Sequence, residues 1–450
     1  MKMKPKVVLV PFGDRFYPQD MLGALIDRSK NMVAGLDVDL VTTQTVNSIP
    51  DAAAVSRQLE ETPADLIIGF ISCWMEPTNF IAALNKVFHK PILLWSLVMF
   101  PAQEGSDEML TTGAFVAAAV LRETMEEMGV AHKFIWGMPE KPEVQQEIAG
   151  YAKVALAKRR LSDSRIGLFG YPALGIYTAT ADHVSLRRKI GPEIFHLDQW
   201  LIIKGMDEVE EKDALAFADE VRRTCRIGPD VTDELLLKAG RMATTLRKLG
   251  QENQLDALNV KCHYELSEIF KFTACVPLSF LSRDFVCSCE GDLMASATQL
   301  MLHYLTGNQT VYGDIHEVFS DRLTISCCGL NPIGMCDPAR CLISRYNADF
   351  QGISNSSPYV PGQRVTVARL AARGDEYKMH ITTGTTVDTF NWHEVNCPPP
   401  PATDVLLDDD LKWFAKNIAS NHYGMVYGDV RNELVDLCQM LGVRVVTYQN

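Results

Sequence analysis

Residues 52–87, AAAVSRQLEETPADLIIGFISCWMEPTNFIAALNKV, decide the fold class of this chain. A short apolar run at residues 66–70 lies between two longer segments, residues 52–61 and 77–87, that are typical of amphipathic helices. The same alternation continues on both sides of this stretch, from about residue 6 to residue 160. Short strands that alternate with helices predict a parallel sheet covered on both faces.

The alternation in this first region predicts five strands and five helices. The strands are at residues 6–10, 38–41, 66–70, 92–95 and 132–136, and the helices at residues 19–34, 52–61, 77–87, 113–128 and 143–158. The region has no G-x-G-x-x-G pattern, so a dinucleotide fingerprint is not supported.

A second strand–helix series follows the polar residues 158–164 and continues to about residue 325. We predict strands at residues 165–169, 257–261 and 285–289, and helices at residues 207–223, 233–249, 263–270 and 293–304. Beyond it, the pattern changes to one typical of antiparallel strands. Those strands are predicted at residues 364–370, 377–383 and 389–395, with turns at Gly374-Asp375 and Gly384. A rigid proline loop at 397–402, helices at 409–418 and 430–441 and a last strand at 443–448 follow.

The chain is therefore expected to be an α/β protein of three domains. Residues 1–160 and 161–325 are predicted to form two Rossmann-like doubly wound domains, and residues 326–450 a mostly antiparallel β domain with closing helices.

The composition excludes several classes of protein. The 450 residues carry 43 Lys and Arg against 56 Asp and Glu, a net charge of −13, without the basic stretches of a nucleic-acid-binding protein. No apolar run reaches the roughly 18 residues of a membrane span, and the N-terminus lacks the pattern of a secretory signal, so we expect a cytoplasmic protein. The twelve cysteines contain no C-x-x-C pair and are expected to be mostly buried, reduced core residues.

Acidic residues follow two of the predicted strands. Glu265 comes after the strand at 257–261, and Glu290 and Asp292 come after the strand at 285–289. In open α/β sheets ligands bind outside the carboxyl ends of the strands, where clustered carboxylates repel one another unless a cation neutralises them. With one imidazole, from His422 in a predicted loop, these oxygens suit an ion such as Mn²⁺ or Mg²⁺. The alternative is that the acids only interact favourably with the helix dipole at a helix N-terminus, and that His422 is an ordinary loop histidine.

Four motifs, in order along the chain, resemble those of the L-fucose/L-arabinose isomerase superfamily. They are Cys262-His263-Tyr264-Glu265-Leu266, Cys289-Glu290-Gly291-Asp292, Leu305-Thr306-Gly307 and Asn421-His422-Tyr423-Gly424. The C-terminal segment from Tyr427 to Val443 also resembles that of the L-fucose isomerases.

The resemblance implies an aldose–ketose isomerase of carbohydrate metabolism that uses Mn²⁺, with Mg²⁺ or Co²⁺ as alternatives, and an enediol or enediolate intermediate. It implies that Glu265, Asp292 and His422 hold the ion and that Glu265 and Asp292 transfer the proton. Glu290 is the alternative to Asp292 as a ligand, since it matches the arabinose isomerases. His316 lies near the place of their second histidine, with a different spacing.

The remaining candidates concern the substrate and the assembly. Glu290, His316 and Asn421 are weaker candidates for substrate binding, as are Arg15, Trp74 and Trp392, for which a solvated loop (Arg15) or core packing (the tryptophans) is the commoner explanation. The resemblance further implies a homo-oligomer, a trimer or a hexamer, in which the first domain of one subunit closes the site of another. The sugar stays open between a pentose, a 6-deoxyhexose and a C6-modified hexose. Two other functions remain: a sugar-binding protein without turnover, and a lyase or epimerase using the same chemistry.

Overall fold

A computed structural model describes residues 3–97, 113–345, 351–389 and 402–448 of the chain, and the structural statements below concern these residues. The chain folds into two compact units, Met1–Arg159 and Arg160–Asn450, and each is described by itself. The predicted boundary near residue 325 does not coincide with a division between these units, and the three-domain organisation stays a prediction.

The first unit is built on a parallel sheet of five strands in the order β2-β1-β3-β4-β5. The strands are β1 (Lys6–Phe12), β2 (Asp39–Thr42), β3 (Leu66–Ile71), β4 (Ile92–Ser96) and β5 (His132–Trp136), and the helices are α1 (Gln19–Ala34), α2 (Ile49–Glu61), α3 (Pro77–Leu84), α4 (Ala114–Glu127) and α5 (Pro142–Asp163). Every residue of β3 and β4 is buried, as expected for central strands covered on both faces. The predicted parallel α/β sheet is therefore confirmed.

The second unit begins with another parallel sheet, of four strands in the order β10-β9-β6-β7. Its strands are β6 (Arg165–Phe169), β7 (Glu193–Leu197), β9 (Ala257–Val260) and β10 (Val286–Cys289), and its helices are α6 (His183–Lys189), α7 (Trp200–Asp207), α8 (Glu211–Thr224), α9 (Asp233–Glu252), α10 (Cys275–Leu281) and α11 (Leu293–Thr306). Numbered along the chain, the strands of this sheet lie in the order 2-1-3-4 when read from β7, which is the order of the first four strands of the first sheet. Both are therefore Rossmann-like units.

Two predictions in this region were wrong in detail. The helix expected at 207–223 is α8, which begins later, at Glu211, and the pattern did not reveal α6, α7, α10 or β7. The helix expected at 263–270 is a single π-helical turn, Glu265–Ile269, entered through a positive φ of 67° at Tyr264. The acidic segment therefore forms a short, tight turn at the end of β9 rather than a regular helix.

The antiparallel part of the second unit closes on itself. Its strands are β11 (Thr310–Val318), β12 (Leu323–Ser326), β15 (Arg364–Arg373), β16 (Glu376–Val387), β17 (Ala402–Leu407), β18 (His422–Tyr427) and β19 (Arg444–Val446), with helices α12 (Leu411–Asn417) and α13 (Arg431–Leu441). They lie in the order β15-β18-β11-β12-β17-β16-β19, and a further pairing of β15 with β16 closes the six antiparallel strands into a barrel. Strand β19 lies outside this ring and pairs with β16 in parallel. A small sheet is formed by β8 (Arg226–Ile227), β13 (Leu342–Arg345) and β14 (Ile353–Asn355). The predicted antiparallel C-terminal part is thus confirmed.

The turn at Gly374-Asp375 is also confirmed, whereas the turn at Gly384 is wrong. Gly384 lies inside β16, and a Cβ there would sit 2.4 Å from the carbonyl oxygen of Leu406 on the adjacent β17. The glycine is needed for close approach of two strands. The strand predicted at 389–395 and the proline loop at 397–402 fall largely outside the described residues.

Helix α11 connects the two sheets of the second unit. Almost all of its residues are buried, and it packs against β9 and β10 of the parallel sheet and against β11, β15 and β18 of the barrel. The carboxyl ends of the parallel strands therefore meet the barrel at the N-terminus of α11. Among the described helices, none is long and apolar enough to cross a bilayer.

Candidate metal centre

The turn after β10 positions two carboxylates at the N-terminus of α11. Glu290 has a φ of 62° and Gly291 a φ of 74°, and Asp292 caps the helix by accepting from the backbone N–H of Ala295 at 2.8 Å. The side chain of Asn259, on β9, accepts from the N–H of Gly291 at 2.9 Å and fixes the turn. A glutamate in the left-handed region is uncommon, and such residues cluster at functional sites.

The barrel supplies the third and fourth groups of the site. His422 was predicted in a loop, but it begins β18, where Asp314 on β11 is its direct cross-strand partner. The Nε2 atom of His422 lies 3.2 Å from Oε2 of Glu290 and 3.2 Å from Oδ1 of Asp314. This nitrogen is buried and makes no hydrogen bond with any described residue. An unpartnered imidazole nitrogen facing two carboxylate oxygens fits a divalent cation.

The opposite ring nitrogen of His422 is held by Asp292. The distance from Nδ1 of His422 to Oδ2 of Asp292 is 2.8 Å, and Arg369 on β15 donates to the same oxygen at 2.8 Å. Arg369 and Asp292 are both fully buried, and Arg369 also donates to the carbonyl oxygen of Thr178 at 2.7 Å. Both oxygens of Asp292 are thus occupied by protein donors, which is the arrangement of a residue that orients a metal-binding histidine.

The charges of these groups depend on one another. Burial raises the pKa of Glu290, but its contacts with His263 and His422 outweigh burial and lower the pKa to about 2. Burial likewise raises the pKa of Asp292, and the charge of Arg369 with the hydrogen bond from His422 lowers it to about 2. Burial lowers the pKa of His422, but Asp292, Asp314 and Glu290 raise it well above its ordinary value. The site therefore stabilises positive charge at Nε2 of His422.

Glu265 has different partners. Its carboxylate forms an ion pair with the buried Lys261 and accepts from the hydroxyl of Tyr171 at 3.0 Å. Its side chain is 42% exposed, and Glu265 is not among the residues that line the cavity described next. The structure thus brings Glu290, Asp292 and His422 together, whereas Glu265 forms an ion pair with Lys261.

A cavity of about 370 Å³ opens over Glu290 and Asp314. It is lined by Leu174, His263, Glu290, Asp314, Ile315, His316, Ser326, Cys327, Cys328 and Asn421. His316 is the extra residue of a β-bulge in β11, since Ile315 and Glu317 pair with the consecutive residues Ile325 and Thr324. Asn421, predicted as a substrate-binding residue, donates to Oδ1 of Asp314 at 2.9 Å.

A second group of donor atoms lies on the other side of Glu290. The Nε2 atom of His263 is 3.3 Å, and the sulfur of Cys328 4.0 Å, from Oε1 of Glu290. Burial lowers the pKa of His263, but hydrogen bonds with Cys328 and Glu290 outweigh it and raise the pKa to about 9.

The structure does not test the other substrate-binding candidates. Arg15 is exposed in the turn after β1, and Trp74 is 42% exposed, both in the first unit. Trp392 lies outside the described residues. Their roles stay predictions.

Sequence reasoning did not select Asp314, His263, Cys328 or Arg369 as functional. His263 stands inside one of the quoted motifs, and Asp314 was noticed only for its spacing from His316. The signal for Asp314 is its cross-strand register with His422, which requires the pairing of β11 with β18.

No protein-family profile matches the chain. The chain is 22% identical to the sulfoquinovose isomerase of Priestia aryabhattai, over 98% of this chain and 99% of that protein. It is 22% identical to the sulfoquinovose isomerase of Clostridium sp. (strain MSTE9), over 82% of this chain and 83% of that protein. An L-arabinose isomerase of Nocardioides sp. is 25% identical over 50% of this chain and 46% of that protein. The resemblance to the L-fucose/L-arabinose isomerase superfamily is thereby confirmed.

Proposed function

We propose that the protein is a divalent-metal-dependent isomerase that converts an aldose into the corresponding ketose, and that Glu290, Asp314 and His422 hold the ion. The observation that carries this proposal is the convergence of two carboxylates on the buried, unpartnered Nε2 atom of His422. The end-to-end similarity to proteins named sulfoquinovose isomerase supports the reaction class.

This ligand set differs from the one predicted from the motifs, which contained Glu265 and Asp292. Asp292 uses both oxygens for hydrogen bonds from the backbone, Arg369 and His422. Glu265 is paired with Lys261. Glu290, the alternative that the arabinose isomerases suggested, has one oxygen facing His422. We therefore give Asp292 the role of a positioning residue.

The donor set indicates the class of ion. Two carboxylates and one imidazole suit a hard or borderline cation, so we propose Mn²⁺, with Mg²⁺ or Co²⁺ as alternatives. When bound, such an ion polarises the substrate carbonyl and stabilises the negative charge of an enediolate.

The chain itself must move a proton between C2 and C1 of the sugar. We assign this step to Asp314, whose side chain is 27% exposed and lines the cavity, whereas Glu290 is 5% exposed and Asp292 is fully buried. A positioned base contributes about 10²–10⁴-fold to the rate. Asn421, which donates to Asp314, keeps that carboxylate turned toward the cavity.

The substrate that we propose is a hexose with an anionic group at C6. Two of the relatives take their names from sulfoquinovose, which is a glucose whose C6 hydroxyl is replaced by a sulfonate. The cavity of about 370 Å³ falls in the range of about 300–1,000 Å³ that holds small molecules.

Product analysis tests the proposal. The protein with Mn²⁺ is incubated with sulfoquinovose, glucose, L-arabinose and L-fucose, and the products are followed by NMR and mass spectrometry. We expect a ketose of unchanged mass from sulfoquinovose, and loss of turnover when a chelator removes the ion. Carrying out the reaction in D₂O separates an enediol route, which incorporates deuterium, from a hydride shift, which does not.

Three results would contradict the proposal. Fragments of lower mass would indicate a lyase, and an epimeric aldose would indicate an epimerase. Tight binding of a sugar without any product would indicate the sugar-binding alternative.

A further inference from the structure

The carboxylate of Glu290 faces two separate groups of donor atoms. Its Oε2 atom is 3.2 Å from Nε2 of His422, on the side of Asp314. Its Oε1 atom is 3.3 Å from Nε2 of His263 and 4.0 Å from the sulfur of Cys328. In each group of three, the donor atoms lie within 4.8 Å of one another, and Glu290 is the member that both groups share.

The spacing of the second group is that of metal ligands. Bonds from Zn²⁺ to histidine nitrogen and cysteine sulfur measure about 2.0–2.3 Å, so two ligands of one ion are at most about 4.6 Å apart. Small side-chain adjustments bring His263, Glu290 and Cys328 into this range. Three protein ligands and one position open to a cavity are the pattern of zinc sites that bind further small ligands.

The chemistry of the second group differs from that of the first. One imidazole, one thiol and one carboxylate oxygen select a softer ion than the oxygen-rich group of Asp314 and His422. The second group therefore prefers a softer ion than the first, although a borderline ion such as Co²⁺ suits both.

The position of Cys328 argues against a role as a small apolar core residue. The residue lines the cavity, and its sulfur lies 4.0 Å from Oε1 of Glu290 and within 4.8 Å of a ring nitrogen of His263. His263 and Cys328 come from the loops that follow β9 and β12, and Glu290 from the end of β10. Three strands of the second unit thus fix the geometry of the group.

We infer that Glu290 bridges two metal ions, and that His263, Glu290 and Cys328 bind the second, a thiophilic divalent cation of the Zn²⁺ class. The inference adds a site to the proposed function and depends on that function only through the shared Glu290.

Cobalt titration tests this inference without any measurement of activity. A Co²⁺ ion bound to a thiolate absorbs in the near ultraviolet, whereas Co²⁺ bound only to oxygen and nitrogen lacks that band. We expect the wild-type protein to bind two equivalents of Co²⁺ and to develop a thiolate band that saturates with one of them. The variants Cys328→Ser and His263→Gln are expected to bind one equivalent, and Cys328→Ser to lose the band.

Two further variants serve as controls. Cys327→Ala removes the neighbouring thiol, which is outside the group, and should keep the band. Asp314→Asn removes a ligand of the first ion only and should also keep it. Absence of the band in the saturated wild-type protein, or its survival in Cys328→Ser, would overturn the inference. Undiminished metal binding by Asp314→Asn would instead contradict the first site while the band still reports on the second.

Discussion

The two ring nitrogens of His422 have different partners, and this difference organises the site. Nδ1 is fixed by Asp292, which is itself paired with the buried Arg369, so the ring cannot turn without breaking that chain of contacts. Nε2 is thereby directed at Glu290 and Asp314. A fixed ring with one free nitrogen is what a metal-binding histidine requires.

Replacing Asp292 by its neutral isostere tests this positioning role. Asp292→Asn keeps the shape of the side chain but removes the charge that pairs with Arg369 and orients His422. We expect the affinity for Mn²⁺ to fall by about 10–100-fold, as for loss of an outer partner, without being abolished. We also expect the free energy of unfolding to fall by about 3–5 kcal/mol, because Arg369 is left as a buried charge without its partner.

Isothermal titration with Mn²⁺ and urea unfolding measure these two effects. If the folded variant binds no Mn²⁺, Asp292 is a direct ligand of the ion, as the motifs predicted.

Beside His422, whose pKa is also raised, His263 makes the stability of the metal-free protein depend on pH. Its pKa is raised from an ordinary value of 6.5 to about 9, so it holds its proton more tightly when folded than when unfolded. The stability that it contributes is fully present below about pH 6.5 and is lost as the pH rises through about 9. We therefore expect the urea midpoint of the chelator-treated protein to decrease between these values.

His263→Gln is the control for this prediction, since glutamine does not titrate and the decrease should become shallower. An identical pH profile in the variant would contradict the assignment. At the acid end the sign is reversed: Glu290 and Asp292, with pKa values lowered to about 2, contribute stability above about pH 4 that is lost as the pH falls to about 2.

Sequence reasoning found part of this constellation. The motif containing His422 and the strand-end position of Glu290 identified two of the three proposed ligands. Asp314 has no such local signal, because it faces His422 only through the pairing of β11 with β18. Neither of those strands was predicted, so the partner of His422 was not visible from the order of residues.

The turn between β10 and α11 holds Glu290 in place, and its packing is tight. A Cβ at Gly291 would lie 2.4 Å from the carbonyl oxygen of Tyr171, on the loop after β6. The N–H of Ala173, on that loop, donates to the carbonyl oxygen of Glu290 at 2.8 Å. The two loops at the carboxyl ends of β6 and β10 therefore support each other.

Gly291→Ala tests how much this contact contributes. Gly307, at the end of α11, is a matched control because its φ is also 74° and no atom lies within 4 Å of its Cβ position. Gly307→Ala should lower the free energy of unfolding only by the cost of a positive φ for alanine, about 1–2 kcal/mol. Gly291→Ala should lower the free energy of unfolding by the same amount and by about 1–3 kcal/mol more, since the added methyl group displaces the loop after β6. Chemical denaturation measures both variants, and equal losses would contradict the packing argument.

Regular alternation predicted the strands and helices of the first unit well, because its central strands are continuous apolar runs. The second unit was harder to predict. The short elements α6 and β7 and the barrel strands β11, β12 and β18 carry no clear period, and of these β11 and β18 pack against helix α11. Tertiary packing rather than local pattern determines these elements.

The resemblance also predicts a homo-oligomer, a trimer or a hexamer. The first unit carries exposed apolar side chains on α4 and on the edge strand β5, among them Phe115, Val120 and Trp136, the last 51% exposed. We expect light scattering to give a mass well above 50 kDa, and Trp136→Lys to weaken the assembly. Val41→Lys, on the opposite edge strand β2, is the control. A wild-type protein that stays a monomer of 50 kDa with full activity would contradict this prediction.

Asp314, together with Glu290 and His422, is proposed to bind the ion on which the isomerase activity of this chain depends. The most direct measurement is Mn²⁺ titration of three proteins: wild type, Asp314→Asn and Glu265→Gln. Both variants replace one carboxylate by its neutral isostere, and Glu265 is the ligand that the motifs predicted. We expect Asp314→Asn to lose more affinity than the roughly 10–100-fold that an outer partner costs, and Glu265→Gln to bind Mn²⁺ as the wild type does. Retained binding in Asp314→Asn with loss of binding in Glu265→Gln would contradict the account.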